Sequence, residues 1–385
     1  MNTLLRIAGW LGASIVIVTI VESILRSLKN YQIMGSDIIT DYGLNIICLM
    51  GISICLAVSL QLINGYTGQF SLGHAGFMAI GGYVAAFITK SLLTGANAGG
   101  QTFFSTLPIY IFALCAGAIA AAIAGLIVGI PSLRLKGDYL AIVTLGFGEI
   151  IRLVIENIET VGGPRGYIGI PKFPNWTWLS TKAFEGTFSS LSWIFLFIII
   201  TIITVHNIVK SSFGRSLVAI RENEIAAEAM GIDTSFYKVL AFTVSAALAG
   251  FAGGLYAHLY GQLVPNTFNF VRSVEIIIMI VFGGMGSITG AVLGAIILTG
   301  LPEWLRTMAG LRADWMPIWM TKGLGYLPDL RMIIYSSLMI LIMLVRPQGI
   351  LGSYEFSLSR VLGKYSKSSK PSKPSSKPAI EEKKS

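Results

Sequence analysis

The sequence predicts an all-α, polytopic membrane protein built as a helical bundle with about eight to ten transmembrane elements. Hydrophobic residues make up 54% of the 385 positions, and the mean hydropathy is +0.73, above the range usual for a soluble domain. Several windows approach the ~20 apolar residues that cross a bilayer as one helix. Charged residues, 12% of the chain, gather between those windows.

Apolar runs and the polar breaks between them define ten hydrophobic elements. The first follows residues 1–6 without a small-residue cleavage site, so we expect a membrane helix there rather than a signal peptide. The eighth and ninth are short for full spans, and the junction FGGMGSITG at 282–290 predicts a tight turn or a broken helix. The elements lie near 7–25, 43–63, 70–90, 107–130, 138–156, 191–209, 238–260, 273–284, 288–302 and 331–345.

These elements form one predicted membrane domain, residues 1–352, with candidate external loops at 157–190 and 303–330. Residues 353–385 are rich in Lys, Ser and Pro and are predicted to be a disordered cytoplasmic tail. Lysine and arginine counts do not decide orientation once the tail is set aside. If residues 214–238 are cytoplasmic, the even number of elements on either side places both chain ends in the cytoplasm.

Residues 214–238 are the most charged stretch between apolar runs, with seven charged positions in 25. Such density cannot lie in lipid, so this charged island must face water. Gly214 is expected to end the preceding helix and Gly231 to stop a short helix over 216–229. Asp233 or Thr234 can then cap the next helix.

The predicted short helix offers a small, close-packing face formed by Ala226, Ala227 and Met230. Such a helix at the membrane boundary suits docking into a groove of another protein. An ordinary solvated loop helix is the alternative on spacing alone.

A second unusual stretch, residues 68–82, concentrates glycines that are costly inside a lipid-facing helix. Close helix approach or a partly unwound turn lining a pathway would account for them. Gln69, Ser71 and His74 there supply hydrogen-bonding groups for a zwitterion. Packing and helix breaking are the structural alternative, and His74 could equally bond a neighbouring helix.

Two further patterns predict helix contacts. Glu149 and Arg152 stand at i, i+3 and are expected to pair on one helix face. Gly286, Gly290 and Gly294 form consecutive small-xxx-small spacings, which favour helix packing over a phosphate-binding loop.

Motifs for chemistry are missing from the sequence, so we expect no catalytic residues, cofactor or metal. It contains no GxxxxGK[ST] nucleotide loop, no HExxH and no GxSxG. The formal charge of +9 owes much to the lysine-rich tail and lacks an aromatic-interleaved basic patch, which argues against nucleic acid. The three cysteines fall in apolar segments and are expected to be buried hydrophobes.

Several motifs together resemble the LivM-type permease subunits of branched-chain or neutral amino-acid ABC importers. They span residues 40 to 352 in the family's order. The matching segments are YTGQFSLGHAGFMAIGGYVAA at 66–86, TLGFGEIIR at 144–152, VGGPRGYIGIP at 161–171, the charged island with the helix after it, FGGMGSITGAVLGA at 282–295 and RPQGILG at 346–352.

The resemblance implies an ABC importer permease fold in a bacterial inner or plasma membrane. Expected partners are membrane lipid, two cytoplasmic ATPase subunits, a second LivH-like permease subunit, and a periplasmic or surface solute-binding protein at the external loops. The residues expected to couple to the ATPase are Arg215, Arg221, Glu222, Asn223, Glu224, Ala226, Ala227 and Gly231. The residues expected to line the translocation pathway are Gly68, Gln69, Ser71, Gly73 and His74.

The sequence alone leaves other functions to be considered. Related permeases carry urea or short amides, so the substrate is open. An ion-coupled secondary transporter would need acidic groups within the membrane, for which Glu22, Glu149 and Glu275 are the candidates near spans. A membrane-embedded enzyme lacks a nucleophile with a base.

Overall fold

The computed structural model of the chain describes the greater part of the predicted membrane domain. The predicted element at 7–25, most of that at 331–345 and the tail at 353–385 lie outside the described residues. Those described are 32–33, 36–37, 41–95, 103–173 apart from 134 and 136, 187–310, 336–337, 340, 344–346 and 349–352.

Helices dominate the described residues, which confirms the all-α class. The only strands among those residues are two antiparallel pairs, β1 Gln32–Ile33 with β2 Ser36–Asp37, and β3 Tyr167–Ile168 with β4 Gln262–Leu263. The α-helices are α1 Asp41–Gln61, α2 His74–Gly95, α3 Phe103–Ser132, α4 Asp138–Glu156, α5 Thr187–Lys210, α6 Ser212–Glu222, α7 Glu224–Ala229, α8 Thr234–Tyr260, α9 Phe270–Gly283 and α10 Ile288–Gly310.

Five described helical segments are long and apolar enough to cross a membrane. They match the elements predicted at 43–63, 70–90, 107–130, 191–209 and 238–260. The segments are Tyr42–Thr67, His74–Leu93, Thr106–Ser132, Ser190–Lys210 and Thr234–Tyr260. The apolar part of α10, Ile288–Glu303, is shorter, as the sequence predicts for that element.

The chain between α1 and α2 departs from the predicted helix start at residue 70. A π-helix, Leu62–Thr67, extends α1 and is closed by Gly68 at φ +72°, and α2 begins only at His74. The intervening backbone bonds to other elements, because the Leu72 N–H donates to Thr144 Oγ1 at 3.0 Å. The partly unwound turn expected around the glycines is therefore present.

The core is built on glycine contacts among α2, α3 and α8. A Cβ at Gly81 would overlap the backbone of Gly250, and one at Gly253 would overlap the carbonyl oxygen of Met78. At such positions only glycine lets the helices approach, so close helix packing is confirmed for this part of the cluster.

Helices α9 and α10 form a tight hairpin, as the small-residue spacing predicts for two of its three glycines. A Cβ at Gly290 would lie 2.6 Å from the Gly283 carbonyl oxygen, and Gly294 packs against Met279. Gly286 differs, because it lies in the turn between the helices at φ +89°.

Two loop boundaries and one cysteine also depart from expectation. Helix α5 begins at Thr187 and α10 continues to Gly310, so both candidate external loops are shorter than predicted. Cys48 and Cys55 are buried free thiols, as expected, but Cys115 is exposed on α3. The apolar run that holds Cys115 faces outward there, with Phe112 60% exposed beside it.

Candidate coupling site and translocation route

The charged island forms two helices rather than the single helix predicted over 216–229. Asn223 separates α6 from α7 with extended backbone, φ −160° and ψ 111°, and its Oδ1 accepts the Ala226 N–H at 3.0 Å. An asparagine side chain that competes for backbone N–H groups ends one helix and caps the next. Asn223 therefore has a structural role in the charged island, as the residue that ends α6 and caps α7.

Helix α6 is amphipathic and begins earlier than expected. Ser211 caps it by accepting the Gly214 N–H, so Gly214 lies inside α6 and does not end the preceding helix. A Cβ at Gly214 would overlap the Val209 carbonyl oxygen, which explains the glycine as a close contact with the end of α5. Leu217 and Ile220 are buried, whereas Arg215 is exposed.

Helix α7 presents a different apolar surface from the one predicted. Ala227 is buried at 4% exposure and packs inside this chain, so it is not available for docking. Ala226 is exposed. Beside it, Ile225 is 76% and Met230 is 83% exposed. The sequence analysis missed Ile225, whose signal is a large aliphatic residue within a charged run.

Short polar contacts attach α7 to the first turn of α8. The Lys238 ammonium pairs with Glu224 Oε1 at 2.6 Å, and Lys238 is only 8% exposed. The Thr234 hydroxyl donates to Glu228 Oε1 at 2.8 Å. These contacts join α7 directly to a helix long and apolar enough to span a membrane.

The turn from α7 into α8 follows the predicted capping pattern. Gly231 adopts φ +84°, which favours glycine, and Asp233 Oδ1 accepts the Phe236 N–H at 3.1 Å. Of the two predicted caps, Asp233 is the one used.

Arg221 joins the charged island to two turns of the membrane domain. Its Nη1 donates to the Gly65 carbonyl oxygen at 3.0 Å, and Nη2 pairs with Glu222 Oε1 at 2.8 Å. A Cβ at Gly68 would lie 2.7 Å from Arg221 Cγ, and one at Gly286 would lie 3.0 Å from Arg221 Nη1. We call Gly65, Gly68 and Gly286 the arginine seat.

The arginine seat is itself held together across the bundle. Gln61 Nε2, at the end of α1, donates to the carbonyl oxygens of Gly284 at 3.0 Å and Ser287 at 3.2 Å. Arg221, a predicted coupling residue, therefore meets one predicted pathway residue, Gly68, and the α9–α10 turn.

The other predicted pathway residues lie just beyond this seat. Ser71 and His74 are each 1% exposed, and Gln69 is partly exposed. His74 Nε2 lies 2.8 Å from Ser59 Oγ, so the structure shows the helix-to-helix hydrogen bond that was the alternative for this residue. A Cβ at Gly73 would lie 2.5 Å from the Thr144 carbonyl oxygen, which makes Gly73 a close contact with α4.

The predicted pair of Glu149 and Arg152 is confirmed and extended. Arg152 Nε donates to Glu149 Oε2 at 2.7 Å, and its Nη1 donates to Glu156 at 2.8 Å. Glu149 Oε1 also accepts the Phe270 N–H at 2.8 Å. This network ties α4 to the first turn of α9, at the end of the bundle opposite to α6 and α7.

Within the described residues no group of three or more His, Cys, Asp or Glu side chains could hold a metal ion. Several helices long and apolar enough to span a membrane, with a charged helical pair attached to one of them, indicate a multi-pass membrane protein.

Comparison with known proteins identifies the family within that class. Residues 42–343 match the family model described as branched-chain amino acid transport system permease component, and the chain belongs to this family. It is therefore a permease subunit of a multi-subunit transporter. No solved structure matches the chain.

Relatives of both permease types resemble the chain over most of its length. The LivM permease of Escherichia coli is 36% identical over 328 residues, covering 80% of this chain and 69% of the relative. The probable LivM of Methanocaldococcus jannaschii is 27% identical, covering 80% and 92%. The Escherichia coli LivH permease is 26% identical, covering 78% and 91%.

Proposed function

We propose that this chain moves branched-chain amino acids across a bacterial inner membrane as one permease of an ATP-driven importer. The substrate class named for its LivM and LivH relatives supports the choice of branched-chain amino acids. These relatives give no support to a urea carrier or an ion-coupled transporter. A LivH-like chain is the proposed second permease, and a solute-binding protein delivers substrate from outside.

The proposed coupling to ATP hydrolysis is supported by the structure of helices α6 and α7. Exposed Ile225 and Met230 offer an apolar contact to a cytoplasmic ATPase subunit. Behind them, Glu224 and Arg221 connect to α8 and to the arginine seat. In this proposal Arg215, Glu222, Ala226 and Ile225 touch the ATPase. Arg221, Asn223, Glu224, Ala227 and Gly231 hold the surface in shape.

The proposed pathway runs past residues 68–74. Gly68 and Phe70 are exposed and Gln69 is partly exposed in this stretch, while Ser71, Gly73 and His74 pack inside the same chain. Their opening would require the unwound backbone around Gly68 to move. A non-helical segment beside a membrane helix is the kind of element that can change conformation in transporters.

The docking proposal is tested by Ile225→Asp, with Ile168→Asp as the matched control. Ile168 is 61% exposed in β3, far from α7. The permease is expressed with the ATPase subunits and second permease of its own organism. We expect Ile225→Asp to lose the ATPase subunits during purification, because a carboxylate replaces apolar contact area, while the control retains them. Equal retention by both variants contradicts the docking surface.

The substrate proposal is tested in proteoliposomes containing the complete transporter. We expect ATP-dependent uptake of radiolabelled leucine in the presence of the solute-binding protein. Uptake of urea without uptake of leucine, isoleucine or valine would overturn it.

A further inference from the structure

A cavity of about 350 Å³, lined by both polar and apolar side chains, lies among α1, α8 and the first turn of α9. Arg272 and Glu275 of α9 line it together with Tyr260, Leu49 and Val271. None of these five residues belongs to the coupling surface or to the predicted pathway stretch. The sequence signal was available, because Arg272 and Glu275 repeat the i, i+3 charge spacing of Glu149 and Arg152.

The cavity is an open groove, with Val271 57% and Tyr260 41% exposed, and it lies part of the way along the membrane helices. Leu49 is the ninth residue of α1, which begins at Asp41, so it lies ~12 Å along the axis from that end. The Gln61 end of α1, at the arginine seat, is ~18 Å away in the other direction. Charged side chains at such a depth in a membrane domain are costly and usually functional.

The cavity carries an incompletely paired guanidinium. Arg272 Nη1 donates to Glu275 Oε2 at 2.9 Å. Its Nη2 is buried and has no hydrogen-bond partner among the described residues. An unpaired buried donor on a charged group is expensive, and a guanidinium is the group that best matches a carboxylate. A small rotation of the Arg272 side chain would bring Nη2 to the cavity, where it can donate to a carboxylate while Nη1 keeps its contact with Glu275.

The remaining lining complements the other parts of an α-amino acid. The Glu275 side chain is 47% exposed and can pair with an ammonium group. Leu49, Val271 and the Tyr260 ring supply apolar surface for an aliphatic side chain. The volume suits a small ligand, at the lower end of the range of pockets that bind small molecules.

We propose that this cavity is an outer substrate site that binds a zwitterionic amino acid with a branched aliphatic side chain. The carboxylate binds Arg272, the ammonium binds Glu275, and the side chain lies against Leu49 and Val271. The aliphatic preference rests on the proposed function, whereas the zwitterion requirement rests on the cavity alone.

The first test needs no variant. The purified permease complex without its solute-binding protein is titrated with leucine, with leucinamide, which lacks the carboxylate, and with 4-methylpentanoate, which lacks the ammonium. We expect each analogue to bind at least roughly tenfold more weakly than leucine, since each forfeits a charged hydrogen bond. Equal binding of leucine and both analogues overturns the site.

The second test identifies which side chain of the cavity binds which charged group of leucine. Arg272→Gln is expected to weaken leucine binding roughly tenfold and to remove the discrimination against leucinamide. Glu275→Gln is expected to remove the discrimination against 4-methylpentanoate. Arg165 is an exposed arginine outside the cavity, so Arg165→Gln is the matched control. It is expected to keep the discrimination against leucinamide and against 4-methylpentanoate. Unchanged discrimination in the first two variants, with the subunits still co-purifying, overturns the assignment.

The outcomes separate this site from the proposed function. If Arg272→Gln binds and transports leucine as wild type does, the cavity is not the site while the importer function stands. If the complete transporter carries no branched-chain amino acid, the importer proposal fails. Discrimination between zwitterions and their singly charged analogues then still reports on the cavity.

Discussion

Replacing Gly68 by alanine tests whether the contact between α6 and the arginine seat is as tight as the structure indicates. Gly68 has φ +72°, and an alanine in the left-handed region costs ~1–2 kcal/mol. The new Cβ would also lie 2.7 Å from Arg221 Cγ. Relief requires the Arg221 stem to move and to weaken its bond to Gly65. That bond contributes ~1 kcal/mol, since the arginine is partly exposed.

The expected total for Gly68→Ala is therefore ~2–3 kcal/mol, of which ~1 kcal/mol comes from Arg221. The double variant Gly68→Ala, Arg221→Ala removes the clash, so its cost should fall short of the sum of the single costs by ~1 kcal/mol. Gly231→Ala is the matched control. It has φ +84°, and no atom lies within 4 Å of the place that an alanine Cβ would take, so it carries left-handed strain without a clash.

The assay is the apparent melting temperature of the purified complex, measured for all the variants and the wild type under one set of conditions. The order from most to least stable should be wild type, Gly231→Ala, then Gly68→Ala. Strictly additive effects of Gly68→Ala and Arg221→Ala would refute a direct contact. In the reconstituted importer, Gly68→Ala should also lower the leucine taken up per ATP hydrolysed, because the seat no longer holds α6 in place.

Two further predictions concern α8. Glu224→Gln leaves the buried Lys238 ammonium without an opposite charge and should destabilise the complex by ~1–2 kcal/mol, seen as a lower apparent melting temperature. Adding Lys238→Met should restore the melting temperature, and no recovery would contradict the pair. Gly253→Leu should abolish a monodisperse complex in size-exclusion chromatography, because its side chain would overlap the Met78 carbonyl. Gly146→Ala, with no atom within 4 Å, should be harmless, and similar profiles for the two would contradict the packing.

The sequence predicts the parts of this fold that depend on neighbouring residues. Apolar runs predict the five long spans, and i, i+3 spacing predicts the Glu149–Arg152 pair. The Asp233 cap also follows from local pattern. Each of these rests on contacts within a few positions of the chain, so hydropathy and spacing are enough to find them.

The sequence does not predict contacts between distant residues. Arg221 and Gly65 are 156 positions apart, and no local pattern indicates that one donates to the other. The burial of Ala227 is likewise not predicted, because its spacing places it on the small docking face whereas the structure buries it inside the chain. Asn223 is a local error of a different kind, since its capping role is a sequence signal that the single-helix interpretation overlooked.

Helix α9 links the two ends of the described structure. It has 14 residues and is therefore ~21 Å long, from the Arg272 cavity to the turn that carries Gly286. Its glycine contacts with α10 leave little room for the two helices to slide, so we expect them to move as one hairpin. On the proposed coupling, a displacement of Arg221 at the seat would be transmitted along α9 to the Arg272 end and would change the shape of the cavity there. In that case, release of a bound amino acid from the cavity would follow from movement of α6.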